Sequence, residues 1–362
     1  MKKFLTIVRW VVGLLFIFSG LIKVNDPLGL CYKMQEFFDV WGWTRLYNVS
    51  LLLAIVMNTF EVILGIALII GQQMKIVSRA LTLLMVFFTF LTGYALFSGK
   101  IKTCGCLGDC IPLLAGQSFA KDIVLLVLVL FIMMNYKKIH PYIGSIPAFS
   151  IIMASVMGLA LVQQYVLDHL PFMDCLPYKK GNNIVELMKK PSGAIDDQYN
   201  YVFRYKKDGK VIEYPQDKLP ENLDSSYEFV DRKDVLVKKG NGLTAKITGF
   251  MLQTMSGNDT TMAILNHHGE YVLVLAKDLK FENHWKQQFE AFVQEAKQKN
   301  VPVLLVTADS EHAIGLFKDV TILKCDGTII KTAARVNPTY FLMQQGTILY
   351  KRSYKDIDGF LE

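Results

Sequence analysis

The sequence predicts a multi-domain protein. An α-helical transmembrane bundle, four helices plus one tethering helix, is followed by an α/β domain with a β-rich insert. Three observations carry this reading. Apolar runs long enough to cross a bilayer crowd into residues 1–167. From Ile247 onward, short apolar runs alternate with amphipathic stretches, the pattern of strands and helices taking turns. Between them lies a polar stretch with one clear hairpin. The predicted divisions are a bundle over 1–140, a fifth helix and stalk over 141–180, a small β-rich segment over 181–246 and the α/β domain over 247–362.

The chain has 362 residues, too many for one small domain, and 52% of them are hydrophobic. Five stretches fit membrane spans, over 4–24, 51–70, 80–98, 119–136 and 146–167, since a helix needs about 20 apolar residues to cross. Met1-Lys2-Lys3 before an apolar run also fits a signal peptide. No Ala-x-Ala-like exit follows, however, and the run Phe16-Ile17-Phe18-Ser19-Gly20-Leu21-Ile22-Lys23 extends well past a typical apolar core. The first stretch therefore reads as a retained helix.

Orientation follows from the bias of Lys and Arg in the short loops. Lys2, Lys3, Arg9, Lys75, Arg79, Lys137 and Lys138 fall on one side. Lys33, Arg45, Lys100 and Lys102 fall on the other, with Asp26, Glu36 and Asp39 among them. The N-terminus is thus expected inside, with the 99–118 loop and the whole C-terminal half outside. In a bacterium this means a multi-pass protein of the inner membrane with a periplasmic C-terminal domain. The net charge of +7 is mostly lysine of this kind. No basic and aromatic array points to nucleic acid, so the expected surroundings are the lipid bilayer and exported protein partners.

The outer loop carries Cys104-Gly105-Cys106-Leu107-Gly108-Asp109-Cys110, half of the six cysteines of the chain. Gly105 and Gly108 let this backbone bend tightly enough for sulfurs to meet. Such a cluster admits thiol–disulfide chemistry, a structural disulfide pinning the loop, or a metal site. Disulfides persist in the periplasm, and Cys31, Cys175 and Cys325 are expected on the same side. A bond between Cys104 and Cys106 would close a very small ring, and strained bonds are more reducible. A bond from Cys110 or Cys175 to either of them is less constrained and suits a resting or resolving form.

Within the spans, ionisable residues point to function. Glu61 lies near the middle of the second, with Asn58 and Gly65 on the same helical face. A lone carboxylate there should face the bundle, protonated or hydrogen-bonded, in either a packing or a proton-transfer role. Lys23, at the outer end of the first span, can snorkel, so its presence alone proves little. Lys121 and Asp122 stand at the outer mouth of the fourth, where an ammonium favours a thiolate or simply anchors the helix.

These residues carry a resemblance. Phe18-Ser19-Gly20-Leu21-Ile22-Lys23-Val24-Asn25-Asp26-Pro27 resembles the signature ending the first helix of the DoxX/MauE family of small membrane proteins. Glu61, Gly65 and Gly71 are similar to its second-helix pattern. Cys104-Gly105-Cys106-Leu107-Gly108-Asp109 resembles its Cys-Gly-Cys-Phe-Gly-Asp loop, with Leu107 in place of the usual Phe. The match spans 1–140 and implies a four-helix bundle linked to redox processes. The MauE branch implies maturation of a disulfide-rich periplasmic enzyme. The DoxD branch implies quinone-dependent sulfur oxidation, and so a quinone as the possible cofactor. Cys110 and Cys31 lie outside the family pattern, which leaves their pairing open.

Beyond the fifth span, Asp168-His169-Leu170-Pro171-Phe172-Met173-Asp174-Cys175-Leu176-Pro177-Tyr178 reads as a proline-punctuated stalk with Cys175 near the outer loop. Residues 199–205 and 210–214 flank an Asp-Gly turn and predict a hairpin. Strands are predicted over 271–276, 301–307, 321–323, 340–343 and 347–351. Helices are predicted over 283–299 and 310–317, the second capped by Ser310. Val336-Asn337-Pro338-Thr339-Tyr340-Phe341-Leu342-Met343-Gln344-Gln345-Gly346-Thr347 resembles the cis-proline strand and hairpin of thioredoxin-like domains. That family's Cys-x-x-Cys is missing, since the matching junction reads Lys277-Asp278-Leu279-Lys280-Phe281-Glu282-Asn283-His284-Trp285. Cys325 reads as an isolated thiol, and His267-His268 as a loop tip.

Two functions follow as expectations. One is a membrane thiol–disulfide oxidoreductase, with Cys104, Cys106, Cys110 and Glu61 as catalytic candidates and electrons passing to a quinone. The other is a non-catalytic, membrane-anchored assembly or scaffold factor that holds exported clients.

Overall fold

The computed structural model describes residues 2–361 except 102–104, 106–107, 196, 221–222, 239 and 281. Among the described residues, five helices are long and apolar enough to cross a membrane. They are α1 (Lys2–Asn25), α3 (Tyr47–Ile70), α4 (Met74–Ser98), α5 (Ala115–Asn135) and α6 (Ser145–Asp168). Each matches one predicted span. Between the first two lies α2 (Pro27–Trp41), which the sequence reading did not anticipate. Its start has a local cause: Pro27 occupies the first turn and the Asp26 side chain accepts from the Gly29 backbone N–H at 3.1 Å.

Helices α1 and α3 pack closely along a seam of small residues. A Cβ built on Gly65 would sit 2.7 Å from the Gly13 carbonyl oxygen, and one on Gly20 would sit 2.5 Å from Val62 Cγ2. Small residues at such a seam let backbones approach, which drives helix association in lipid. At the opposite end Arg9 is buried, and its Nε donates to the Leu68 carbonyl at 2.8 Å. The guanidinium thus satisfies the last carbonyls of α3. Arg9 is a helix cap, beyond the topological charge its sequence position suggested.

After α6 come α7 (Ile184–Met188), β1 (Gln198–Lys207), β2 (Lys210–Pro215) and β3 (Glu228–Lys238). The three strands form an antiparallel sheet in the order β2-β1-β3. Next are α8 (Thr261–Leu265), β4 (Tyr271–Ala276), α9 (Lys286–Gln298), β5 (Val303–Thr307), α10 (Ser310–Leu316), β6 (Thr321–Lys324), α11 (Gly327–Ala333), β7 (Thr339–Gln344) and β8 (Thr347–Ser353). They build a five-stranded sheet in the order β6-β5-β4-β7-β8. β4, β5 and β6 are parallel, while β7 and β8 run antiparallel to their neighbours. β4 is central and wholly buried. Its Tyr271, Leu273 and Leu275 face a core shared with α7, α8 and α11, and its Val272, Val274 and Ala276 face Phe289, Phe292 and Phe317. A strand covered on both faces reads as the unbroken apolar run Tyr-Val-Leu-Val-Leu-Ala.

The helix α10 begins as predicted, but Ser310 lies inside it and Asp309 holds the cap position without a capping side-chain bond. The Asn337–Pro338 peptide is cis. The domain sits at the end of the bundle that carries α2 and the cysteine loop, touching both through side chains described next.

Candidate functional site

The cysteine loop begins where α4 stops at Gly99 and ends where α5 starts. Cys104, Cys106 and Leu107 lie outside the described residues. Gly105 and Gly108 are described, both with positive φ (64° and 59°), and the Gly108 N–H donates to the Gly105 carbonyl at 3.0 Å. A Cβ on Gly108 would come within 2.9 Å of Ile22 Cγ2, so the turn needs glycine for space as well as for conformation. Cys110, at the end of this turn, is bonded to Cys175 of the stalk across 65 residues. The sequence left the pairing of Cys110 open, with a bond from Cys110 or Cys175 to Cys104 or Cys106 as one less constrained arrangement. In the structure Cys110 and Cys175 are joined to each other, since the stalk brings Cys175 against the loop.

Two further cysteines are free and buried. Cys31 on α2 shares a contact with Ser50 Oγ at 3.2 Å, and burial pushes its thiol up despite that bond. Cys325, at the end of β6, is pushed up by burial to about 11. Both thiols therefore stay protonated near neutral pH and are poor nucleophiles.

Inside the bundle, Lys23 does not take the route to the interface that was open to it. Its Nζ turns inward and lies 2.7 Å from Glu61 Oε2 and 3.2 Å from Ser19 Oγ. Glu61 is therefore not the lone carboxylate the sequence suggested. Both side chains are 4% exposed. Asn58, one turn before Glu61, donates to the Lys23 carbonyl at 3.1 Å and to Gln163 Oε1 of α6 at 3.2 Å. Gln163 in turn donates to Thr59 Oγ1 at 3.0 Å. Across the bundle, Thr92 donates to Asp122 at 3.0 Å, and Lys121 pairs with Asp122 at 2.7 Å.

Lys23, Glu61, Thr92, Lys121 and Asp122 border a cavity of about 580 Å³ between α1, α2, α3, α4 and α5. Phe16, Phe38, Met85, Phe88, Leu125 and Leu128 give it an apolar wall. Lys23, Glu61, Thr92 and Asp122 supply its polar face, and Gly105 of the cysteine loop borders one end. Lys23 also lies 5.0 Å from the Phe88 ring centroid. The arrangement suits a molecule with an apolar body and a hydrogen-bonding head.

Above the cavity, Arg335 of the C-terminal domain reaches across to both membrane loops. Its Nε donates to the Asp26 carboxylate at 2.8 and 3.0 Å, and its Nη2 donates to Asp109 of the cysteine loop. Burial alone would lower this guanidinium, but the charges of Asp26 and Asp109 more than offset it and hold it above its ordinary value. Lys351 of β8 donates to Asp174 of the stalk at 2.7 Å, and burial pulls its ammonium below the usual lysine range. Sequence reasoning missed both contacts. Arg335 precedes the Asn337-Pro338 motif by two residues, yet nothing in the chain ties it to Asp109, 226 positions away.

Residues 1–135 match the family model described as methylamine utilisation protein MauE, and residues 199–239 match a domain of unknown function, DUF8463. No curated protein and no solved structure matches the chain. With five apolar helices behind that match, the chain is a multi-pass membrane protein whose N-terminal part is MauE-like and whose C-terminal part is a separate α/β domain.

Proposed function

We propose that this protein is a membrane thiol–disulfide oxidoreductase, working at the outer face of a bacterial inner membrane. Cys104 and Cys106 exchange with an exported dithiol, and the bundle hands the electrons to a quinone. The observation that carries the reading is the apolar cavity whose outer end is bordered by Gly105, the residue between the two candidate cysteines. A disulfide on that loop takes two electrons from a client dithiol, which leaves as a disulfide. The resulting thiols pass two electrons and two protons to the quinone and reform the bond. Lys23, Glu61 and Asp122 offer the charged groups near which a ring oxygen can be held or protonated. The strand order β5-β4-β7-β8 supports a thioredoxin-like reading of the C-terminal domain, which would then bind clients without a dithiol of its own.

The test uses the full-length protein in lipid nanodiscs with dithiothreitol and a short-chain ubiquinone analogue. Quinol should form faster than in empty nanodiscs, and Cys104→Ser/Cys106→Ser should return the rate to background. Equal rates in the two proteins would overturn the proposal. A membrane-impermeant thiol reagent applied to reduced, intact spheroplasts should label Cys104 or Cys106. Labelling that requires lysis would reverse the orientation.

One observation favours a second reading, a non-catalytic assembly factor for exported clients. The junction Lys277 to Trp285 carries no cysteine, and Cys325 is buried. On that reading the quinone assay shows no dependence on the loop cysteines while client binding survives their loss.

A further inference from the structure

The two partners of the disulfide share a feature that neither reading uses. Asp109 immediately precedes Cys110, and Asp174 immediately precedes Cys175. Each aspartate is engaged by a buried cation of the C-terminal domain, Asp109 by Arg335 (5% exposed) and Asp174 by Lys351 (3% exposed). The bond holds the two Cα atoms 4.7 Å apart, so it presents both carboxylates to the domain as one unit.

We propose that Arg335 and Lys351 are positioning residues that couple the Cys110–Cys175 disulfide to docking of the C-terminal domain on the bundle. With the bond intact, the first ion pair sets the second at high effective concentration. Reduction by a dithiol breaks the bond between the two sulfurs. Two electrons and two protons pass to Cys110 and Cys175, and the dithiol leaves as a cyclic disulfide. The loop then loses its covalent tie to the stalk, which keeps its bonds to Asn25 through Met173, and each ion pair gains less from the other. Linkage makes the effect reciprocal: if the bond favours docking, docking favours the bond by the same factor. The domain acts as a clasp, tight over the cysteine loop when the bond is closed and looser when it is open. Arg335 also bonds Asp26 at the start of α2, so loosening would reach the lid of the cavity.

The coupling does not require the loop pair to react, and its test is made in a Cys104→Ser/Cys106→Ser background. The full-length protein is equilibrated with mixtures of reduced and oxidised dithiothreitol, and free Cys110 and Cys175 are quantified by alkylation and peptide mapping. Arg335→Gln and Lys351→Gln should each shift the equilibrium toward the thiols, on the order of tenfold, while Lys355→Gln, away from these contacts, should not. Folded variants that titrate like the parent would overturn the coupling. A second measurement needs no charge variant. Hydrogen exchange in the same background should show residues 26–33 and 331–338 losing protection when Cys110–Cys175 is reduced. Unchanged protection would overturn the proposal as well.

Discussion

Glu61→Ala should cost the folded bundle about 3–5 kcal/mol, the penalty of leaving one member of a buried ion pair without its partner. Lys23 Nζ has Glu61 at 2.7 Å and, among the described residues, Ser19 as its one further side-chain oxygen within hydrogen-bond distance. Read from the sequence as a lone carboxylate, Glu61 should tolerate Gln, which preserves most of the hydrogen bonding. With Lys23 as its partner, Glu61→Gln instead strands an ammonium in the bundle and should behave much like Ala. Removing both charges in Lys23→Met/Glu61→Leu should recover most of the loss, because paired buried charges exchange for apolar groups at little net cost. Thermal unfolding of the detergent-solubilised protein measures all three variants against the parent. A double variant as unstable as Glu61→Ala would sink this account of the pair.

Gly65→Ala should destabilise the bundle by about 1–3 kcal/mol, the usual range for overpacking. Intrinsic propensity predicts the opposite sign, since Ala exceeds Gly in helices by up to about 1 kcal/mol. The close approach decides the matter. The new methyl would lie 2.7 Å from the Gly13 carbonyl oxygen and 3.0 Å from the Ile17 backbone nitrogen, and neither can swing aside as a side chain would. Gly158 of α6 provides the contrast, since a Cβ there meets nothing within 4 Å. Gly158→Ala should therefore be neutral or mildly stabilising in the same melting experiment. Equal effects at the two glycines would mean that the α1–α3 seam is looser than described.

What the sequence disclosed and what it hid divide along physical lines. The five spans were legible because bilayer crossing demands a long apolar run, whatever its neighbours. The central strand β4 was legible for a related reason, being covered on both faces. β3 escaped because Glu228–Lys238 is exposed along its whole length, so no alternation marks it. α2 escaped because its apolar residues are broken up by Lys33, Gln35, Glu36 and Asp39 and its start is marked only by Asp26-Pro27. Long-range pairings were the least legible. Lys23 and Glu61 stand 38 positions apart, and Cys110 and Cys175 stand 65 apart. Cysteine spacing alone does not dictate connectivity. The three ion pairs from Arg335 and Lys351 to Asp26, Asp109 and Asp174 depend on folding in both halves, which no local pattern records.

The cavity has one more consequence. Val11, Leu15 and Phe18 of α1 and Val124 of α5 border it and are exposed on the lipid-facing side of the bundle, while α2 closes the end near the cysteine loop. A molecule entering between α1 and α5 comes sideways out of the bilayer, never having been free in water beside the protein. Its dose is then a mole fraction in the membrane, and an aqueous concentration means little. Two compounds of equal intrinsic fit will differ in potency by the ratio of their partition coefficients, and diluting the lipid will raise occupancy as adding ligand does.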